Sequence, residues 1–492
     1  MIQEEKDRLA RLQALRDAGI NPYPSKGSRS HTIRAFLNDY DGLLSSKQNV
    51  TLLGRLRLLR KHGGLTFAQL LDESGVVQIA LRKNELGEDQ YAFFHQTTDM
   101  GDFVEVSGVA FTTQKGEKSL EVKTYTLITK SVLPLPEKWH GISDVETRFR
   151  KRYLDLIMND DVRARFIIRT KIISAIRQLL DGRGFLEVET PTLQPIYGGG
   201  YARPFTTRHN ALDADFYLRI SDEMYLKRLL VGGFEKVYEI TKVFRNEGID
   251  RDHNPEFTMF EAQIAYENFE YGMDIFEEIF EYAALCALGC TTVDHEGVKV
   301  ELKRPWRRMR LVEAVEKIGG IPMSAWEHPE EAKSLLRKKC AQHEEIDRIQ
   351  STGELLAFAF ETLVEEALVQ PTIIYEYPVE VSPLAKRCAS DPRFVERFEA
   401  FALGSEIGNN YSELNDPVDL EKRFVEEKQR EQAGFDEAHQ TDLDYLEAIK
   451  HGMPPACGLG IGIDRMVMLL TGAKNIKEVI LFPTLRPERE GE

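Results

Sequence analysis

With 492 residues, 42% of them hydrophobic, the chain is long enough for two or three domains, each with a core of its own. It holds no run of about eighteen apolar residues, and the charged start Met1-Ile2-Gln3-Glu4-Glu5-Lys6 has no apolar stretch behind it, so neither a membrane span nor a signal peptide is supported and a cytoplasmic location is expected. A net charge of -16 argues against a nucleic-acid partner, but residues 1–150 carry 21 Lys and Arg against 19 Asp and Glu, so the acid excess lies in the rest of the chain and local basic patches remain compatible with RNA.

Residues 1–45 read as a helical extension: Leu9, Leu12 and Leu15 fall on a different face from Arg8, Arg11 and Arg16, and Gly19 with Asn21-Pro22 stops the helix. Short β runs follow at 50–59, 66–72, 76–81, 103–112 and 119–128, within a module spanning 46–135. Turns at Gly63-Gly64, Glu73-Ser74-Gly75 and Lys115-Gly116 separate some of them, and a helix at 88–95 sits between the third and fourth. Five strands with a helix after the third is the order of an OB-fold barrel, whose open face commonly binds single-stranded nucleic acid. Leu133-Pro134-Leu135-Pro136 and Trp139-His140-Gly141 make a stiff connector, and a larger domain, 144–492, follows. It opens with an amphipathic helix at 162–180, whose apolar side carries Phe166, Ile168, Ile172, Ile173, Ile176, Leu179 and Leu180. Strands at 215–220, 235–245, 257–266, 395–413 and 456–463, with helices at 268–288 and around 311–318, 329–338 and 353–368, predict a largely antiparallel sheet flanked by helices, an α+β domain. The five cysteines, Cys286, Cys290, Cys340, Cys388 and Cys457, form no CxxC pair and read as buried free thiols.

Four groups of residues suggest chemistry. Val243-Phe244-Arg245-Asn246-Glu247-Gly248, followed by His253-Asn254-Pro255-Glu256-Phe257-Thr258, sets a guanidinium, a carboxylate and a ring at the ends of a short polar loop. The guanidinium suits a phosphate or carboxylate, and the ring offers a base a stacking face. In Gly458-Leu459-Gly460-Ile461-Gly462-Ile463-Asp464-Arg465 every second residue is glycine, so one strand face is bare and a flat ligand can lie against backbone, with a second arginine at its edge. If 398–403 and 406–411 form a hairpin turning at Gly404-Ser405, residue 403 faces 406 and the carboxylates of Glu399 and Glu406 project from one face, a candidate magnesium pair. The fourth group, Glu223, Glu261 and Glu413, suits a cationic ligand, because buried carboxylates are costly without one. Strict alternation sets Glu413 opposite Glu406, so bringing both to one ligand needs a bulge at Gly408.

The two arginine segments resemble motifs 2 and 3 of the class II aminoacyl-tRNA synthetases. Arg219-Ile220-Ser221-Asp222-Glu223-Met224-Tyr225-Leu226-Lys227-Arg228-Leu229 and residues 406–414 look like the lysine-pocket segments of the bacterial lysyl-tRNA synthetases, and Gly198-Gly199-Gly200, Ala202-Arg203-Pro204-Phe205 and residues 377–386 extend the match to nearly the whole chain. The resemblance implies L-lysine, ATP and a lysine tRNA as substrates, Mg2+ held by Glu399 and Glu406, and a homodimer through the motif-1-like helix. It implies that Arg245 and Arg465 align and neutralise the reacting groups, and that Glu247, His253, Asn254, Phe257, Gly460 and Gly462 surround ATP, with Phe257 under the adenine. Gly199 and Glu223 would hold the α-amino group, Asn409 and Arg245 the carboxylate, Tyr411 the stem, and Glu413 the ε-ammonium, with Glu261 and Gln263 nearby. In the OB module Phe67 would stack on the central anticodon base, with Arg55, Gln78 and Glu117 beside it. Gln263 and Tyr411 depart from the family's usual tyrosine and phenylalanine, and both can still serve an ammonium and a methylene chain. Aspartyl- and asparaginyl-tRNA synthetases share the domain order, but their pockets favour cations where this chain has acids. A lysyl transferase acting on protein would lack the 46–135 module, and a noncatalytic RNA-binding paralogue would be expected to have lost Arg245, Arg465 or the acidic pair.

Overall fold

The computed structural model describes residues 2–136, 142, 144–200, 202–341, 343–432 and 442–488, which form two compact units, 1–143 and 144–492. The connector residues Trp139-His140-Gly141 lie outside the described residues.

In the first unit five strands, Val50–His62, Leu65–Asp72, Gly75–Arg82, Phe103–Thr112 and Lys118–Thr129, close into a barrel in the order one, two, three, five, four. The expected helix between strands three and four spans Glu88–Thr97. Alternation does the sorting: Thr66, Ala68 and Leu70 point inward while Phe67 and Gln69 stay half-exposed. Ile33, Phe36, Tyr40 and Leu43, from the helices Ile33–Asn38 and Tyr40–Ser46, join the barrel's core.

The second unit is built on an eight-stranded sheet. Its spatial order is Arg307–Arg310, Thr372–Pro378, Phe394–Ala402, Ser405–Ser412, Ala456–Gly462, Glu256–Ala265, Lys236–Phe244 and Leu186–Glu187, antiparallel except at its two ends. The expected strand at 215–220 falls outside it: Ala214–Leu218 belongs to a separate three-stranded sheet. One face of the large sheet packs on the helices Asp160–Gly182 and Phe269–Leu288, burying Phe260, Ala262, Ile264, Phe398, Leu459 and Ile461. The second of the two starts cleanly because Asn268 accepts hydrogen bonds from the backbone of Glu270 and Tyr271. The other face is left for ligand.

Two expectations change. Only Cys340, Cys388 and Cys457 are buried; Cys286 faces solvent from the helix, and Cys290 lies beyond that helix's end at Gly289. The hairpin of the acidic pair turns at Leu403-Gly404, so Phe401, and not Leu403, pairs with Glu406.

Candidate active site

The bare face of Ala456–Gly462 is the floor of the site. Across the sheet, Glu399 pairs with Asn409, Asn409 with Gly460, and Gly460 with Glu261. In the next row Arg397 pairs with Tyr411, Tyr411 with Gly458, and Gly458 with Gln263. Side chains of both rows therefore rise from one face. Glycine is needed at 458, because a Cβ there would lie 2.4 Å from both Gln263 Nε2 and Glu413 Oε1.

A bulge completes the row. Gly408 pairs with Ala400 but Glu406 with Phe401, which leaves Ile407 as the extra residue and turns Glu406 to the face of Asn409 and Tyr411. The bulge is expected at Gly408, and the extra residue is its neighbour. Gly408 has φ +155°, and a Cβ there would lie 2.5 Å from Gly460 O and 2.7 Å from the Phe276 ring.

Two adjoining cavities stand on this floor. The first, of about 220 Å³, is lined by Gly199, Glu223, Arg245, Glu261, Gln263, Asn409, Tyr411 and Gly460 among others, with the 381–385 segment as a wall. The second, of about 280 Å³, is lined by Arg245, Glu247, His253, Asn254, Phe257, Glu406, Gly460, Gly462 and Arg465 among others. Arg245, Asn409 and Gly460 border both, so ligands in the two cavities would meet at them.

The first cavity is acidic and its acids are held. Glu261 accepts hydrogen bonds from Ser221 Oγ at 2.8 and 3.1 Å, and burial, aided by Glu223, pushes it up to about 7. Asp222, fully buried, faces the Glu261 carboxylate. Burial, with the charges of Glu261 and Glu239, drives its pKa far above the carboxylate range and keeps it neutral. Tyr411 OH donates to Glu223 at 2.5 Å, and the Gly199 backbone, at φ +82°, passes so close that a Cβ would lie 2.7 Å from Ser221 Oγ. Gln263 donates Nε2 to Glu413 at 2.8 Å, while its buried Oε1 has no hydrogen-bond partner among the described residues. Glu413 lies under this cavity rather than in its lining, ion-paired to Lys227 at 2.6 Å.

The second cavity is bordered by exposed side chains, Glu247 and His253 among them. Arg245 places its guanidinium 5.2 Å from the centre of the Phe257 ring, and its buried Nε has no hydrogen-bond partner among the described residues. Arg465 donates to the Glu406 carbonyl at 3.0 Å and to His253 Nε2 at 3.3 Å, and His253 Nδ1 lies 2.9 Å from Asp250. Asn254 borders the cavity but spends its amide on backbone, donating to Glu256 O and accepting from Thr484 N. Glu406 Oε2 is 3.6 Å from Arg465, whereas Glu399 lines neither cavity and is held by Arg397 and by Tyr377 OH at 2.9 Å. Burial pushes Glu399 up to about 7, against the opposing charge of Arg397. Among the described residues no three His, Cys, Asp or Glu side chains are grouped to hold a metal on their own.

Sequence reasoning overlooked Ser221, Asp222 and Lys227. The signal was present: Glu223 and Lys227 are one helical turn apart, and Lys227 shares its helix with the buried Met224, Leu226 and Leu230. In the other unit Arg55, Phe67 and Gln78 lie on the barrel's outer surface. There Arg55 covers the Phe103 ring at 4.2 Å and Gln78 donates to Ser119 Oγ at 2.9 Å, with Glu117 exposed in the turn before the fifth strand.

Comparison with known proteins follows this division of the chain. Residues 50–128 match the OB-fold nucleic acid binding domain, and residues 144–486 match the tRNA synthetases class II (D, K and N). Over 482 residues the chain is 48% identical to the lysine–tRNA ligase of Carboxydothermus hydrogenoformans, covering 98% of each. It is 49% identical over 483 residues to that of Moorella thermoacetica, again with 98% of each covered, and 46% identical over 484 to that of Enterococcus faecalis, with 97% of this chain and 96% of the relative covered. A glycine-floored double cavity on an antiparallel sheet, an OB barrel ahead of it and these full-length relatives agree: the chain belongs to the class II tRNA synthetases of the D, K and N group.

Proposed function

We propose that the chain is a lysine–tRNA ligase, which joins L-lysine to ATP as lysyl-adenylate with release of pyrophosphate and then passes lysine to the 3′ end of its tRNA. The observation that carries this is the acidic first cavity, where Glu223 and Glu261 line the wall and Glu413 lies beneath, because a diamino acid brings two ammonium groups to it. An aspartate or asparagine pocket would need cations or amide partners at these places.

Arg245 stands where the two cavities meet, suited to the lysine carboxylate and the α-phosphate together. The carboxylate oxygen attacks the α-phosphorus, the bond to the β-phosphate oxygen breaks, and pyrophosphate leaves with its electron pair. No proton moves, since the nucleophile is already ionised; alignment and charge neutralisation do the work. Phe257 offers the adenine a face, and Arg465, oriented by Glu406 and His253, takes phosphate charge from the other end. Glu406, with Glu399 behind it on the same sheet face, would hold Mg2+, which when bound would supply positive charge to the phosphates. Phe67, Arg55, Gln78 and Glu117 on the barrel would read the anticodon, with Phe67 stacking on an unpaired base. A homodimer through the Asp160–Gly182 helix and a cytoplasmic location complete the reading; no helix among the described residues is long and apolar enough to cross a membrane.

Pyrophosphate exchange measured with each amino acid tests it. Lysine is expected to support exchange well above every other, and equal or better exchange with aspartate, asparagine or ornithine would defeat the reading.

A further inference from the structure

Lys227 lies one turn after Glu223 on the helix Glu223–Val231, and its side chain is wholly buried. Its ammonium is ion-paired to Glu223, sits 2.6 Å from Glu413 Oε2 and is 5.1 Å from the centre of the Tyr411 ring. It lines neither cavity. A buried ion pair is weak evidence for stability, because apolar replacements of similar volume often do as well. This one joins two carboxylates that the proposed function gives to different ends of one ligand. Without the cation, Glu223 and Glu413 would repel across an apolar gap, and burial would protonate one of them. Burial works against the Lys227 charge, but Glu223 and Glu413 outweigh it and hold the ammonium well above the ordinary lysine range.

Charge counting points the same way. Glu223, Glu261 and Glu413 against Lys227 and Arg245, with Asp222 neutral, leave one net negative charge when all three glutamates are ionised. A ligand with two ammonium groups and one carboxylate brings the balance to zero. Of the remaining walls, Arg397 is cancelled by its ion pair with Glu399, Gln263 and Asn409 are amides, and Tyr411 turns its hydroxyl to Glu223.

We propose that Lys227 is a specificity-determining positioning residue: its buried ammonium ties the carboxylate for the substrate's α-amine to the carboxylate for its side-chain amine, fixing the distance between the two amines that the pocket accepts. This rests on the lysine reading of the site.

The test uses the full chain with Lys227→Met, Lys227→Arg and the double variant Lys227→Met/Glu413→Gln, assayed by pyrophosphate exchange with lysine and ornithine, alongside thermal melts. Lys227→Met is expected to raise the lysine KM about 10- to 100-fold, the usual cost of losing a group that orients ligating residues from behind. It should cut the lysine-over-ornithine preference, which for one methylene is normally about 10- to 200-fold, to a few-fold. The KM for ATP and kcat should stay within about threefold, since uniform substrate binding is what is lost. Lys227→Arg should recover part of the preference. The double variant, which removes one of the two carboxylates together with the cation and leaves Glu223 held by Tyr411, should melt closer to wild type while its lysine KM stays high. Wild-type lysine KM and ornithine discrimination in Lys227→Met, or their return in the double variant, would overturn the proposal alone; a wild type with no preference for lysine would sink the lysine reading and this proposal together.

Discussion

The amino-acid cavity and the nucleotide cavity share a floor but are built to opposite rules. In the first, every acid is held before a ligand arrives: Glu261 by Ser221, Glu223 by Tyr411 and Lys227, Glu413 by Lys227 and Gln263. In the second, Glu247 and His253 are exposed, Arg465 leans on a carbonyl, and Arg245 has a buried nitrogen with no hydrogen-bond partner among the described residues. Preorganised buried groups reject a ligand that leaves them unpaired, which is how a small pocket gains selectivity. Groups that gather around phosphate need only charge and reach. The difference teaches that selectivity is written into the prepaired cavity and rate into the other, so damage to each should show in a different kinetic constant.

The largest effect is expected where the closed network is cut. Glu413→Gln leaves the buried Lys227 with one carboxylate fewer, at a cost of about 3–5 kcal/mol for breaking such a pair. The lysine kcat/KM in pyrophosphate exchange should fall by about 10²- to 10³-fold, with the KM for ATP little moved. Arg245→Ala strikes the border of both cavities; kcat should fall by about 10²- to 10³-fold, as for other fixed donors to developing charge, and both substrates should bind less tightly. Single-turnover adenylate formation separates the two effects. Phe67→Ala, in the other unit, should raise the tRNA KM in aminoacylation by roughly 5- to 150-fold, equivalent to about 1–3 kcal/mol of base stacking, and leave tRNA-independent exchange untouched.

The smallest effect is with pH. Glu261, raised to about 7, must be ionised to receive an ammonium, so lysine should bind about tenfold more tightly at pH 8 than at pH 6, as calorimetric titration would report. Stability runs the other way. A carboxylate whose folded pKa is raised binds more protons folded than unfolded, so its contribution is full below its unfolded value near 4.5 and is lost as pH rises through about 7. Chemical denaturation of the unliganded chain across that window should show the loss, and bound lysine should offset it.

Much of the architecture is legible in the chain because it rests on local rules. The barrel strands announce themselves by alternation and turn residues, and the Gly458-Gly460-Gly462 period gives the bare floor outright. What escapes is decided by partners far away in sequence. The extra residue at Ile407 makes sense only once Gly408 lies against Gly460 O and the Phe276 ring, and the turn at Leu403-Gly404 shifts with it. Lys227 looks like any helix lysine until Glu413, nearly two hundred residues on, is brought beneath it. Cys286 shows the converse: its helix is apolar, but its own face is not one that the sheet covers.

Comparing lysine with norleucine in pyrophosphate exchange tests the central claim most directly, since the two differ by the ammonium that the buried carboxylates are there to meet. A site built to pair a polar substrate group rejects the analogue lacking it by about 10⁴- to 10⁵-fold in kcat/KM, and a ratio of at least about 10³ is expected here. A ratio below about ten, the value of ordinary apolar fit, would contradict the account.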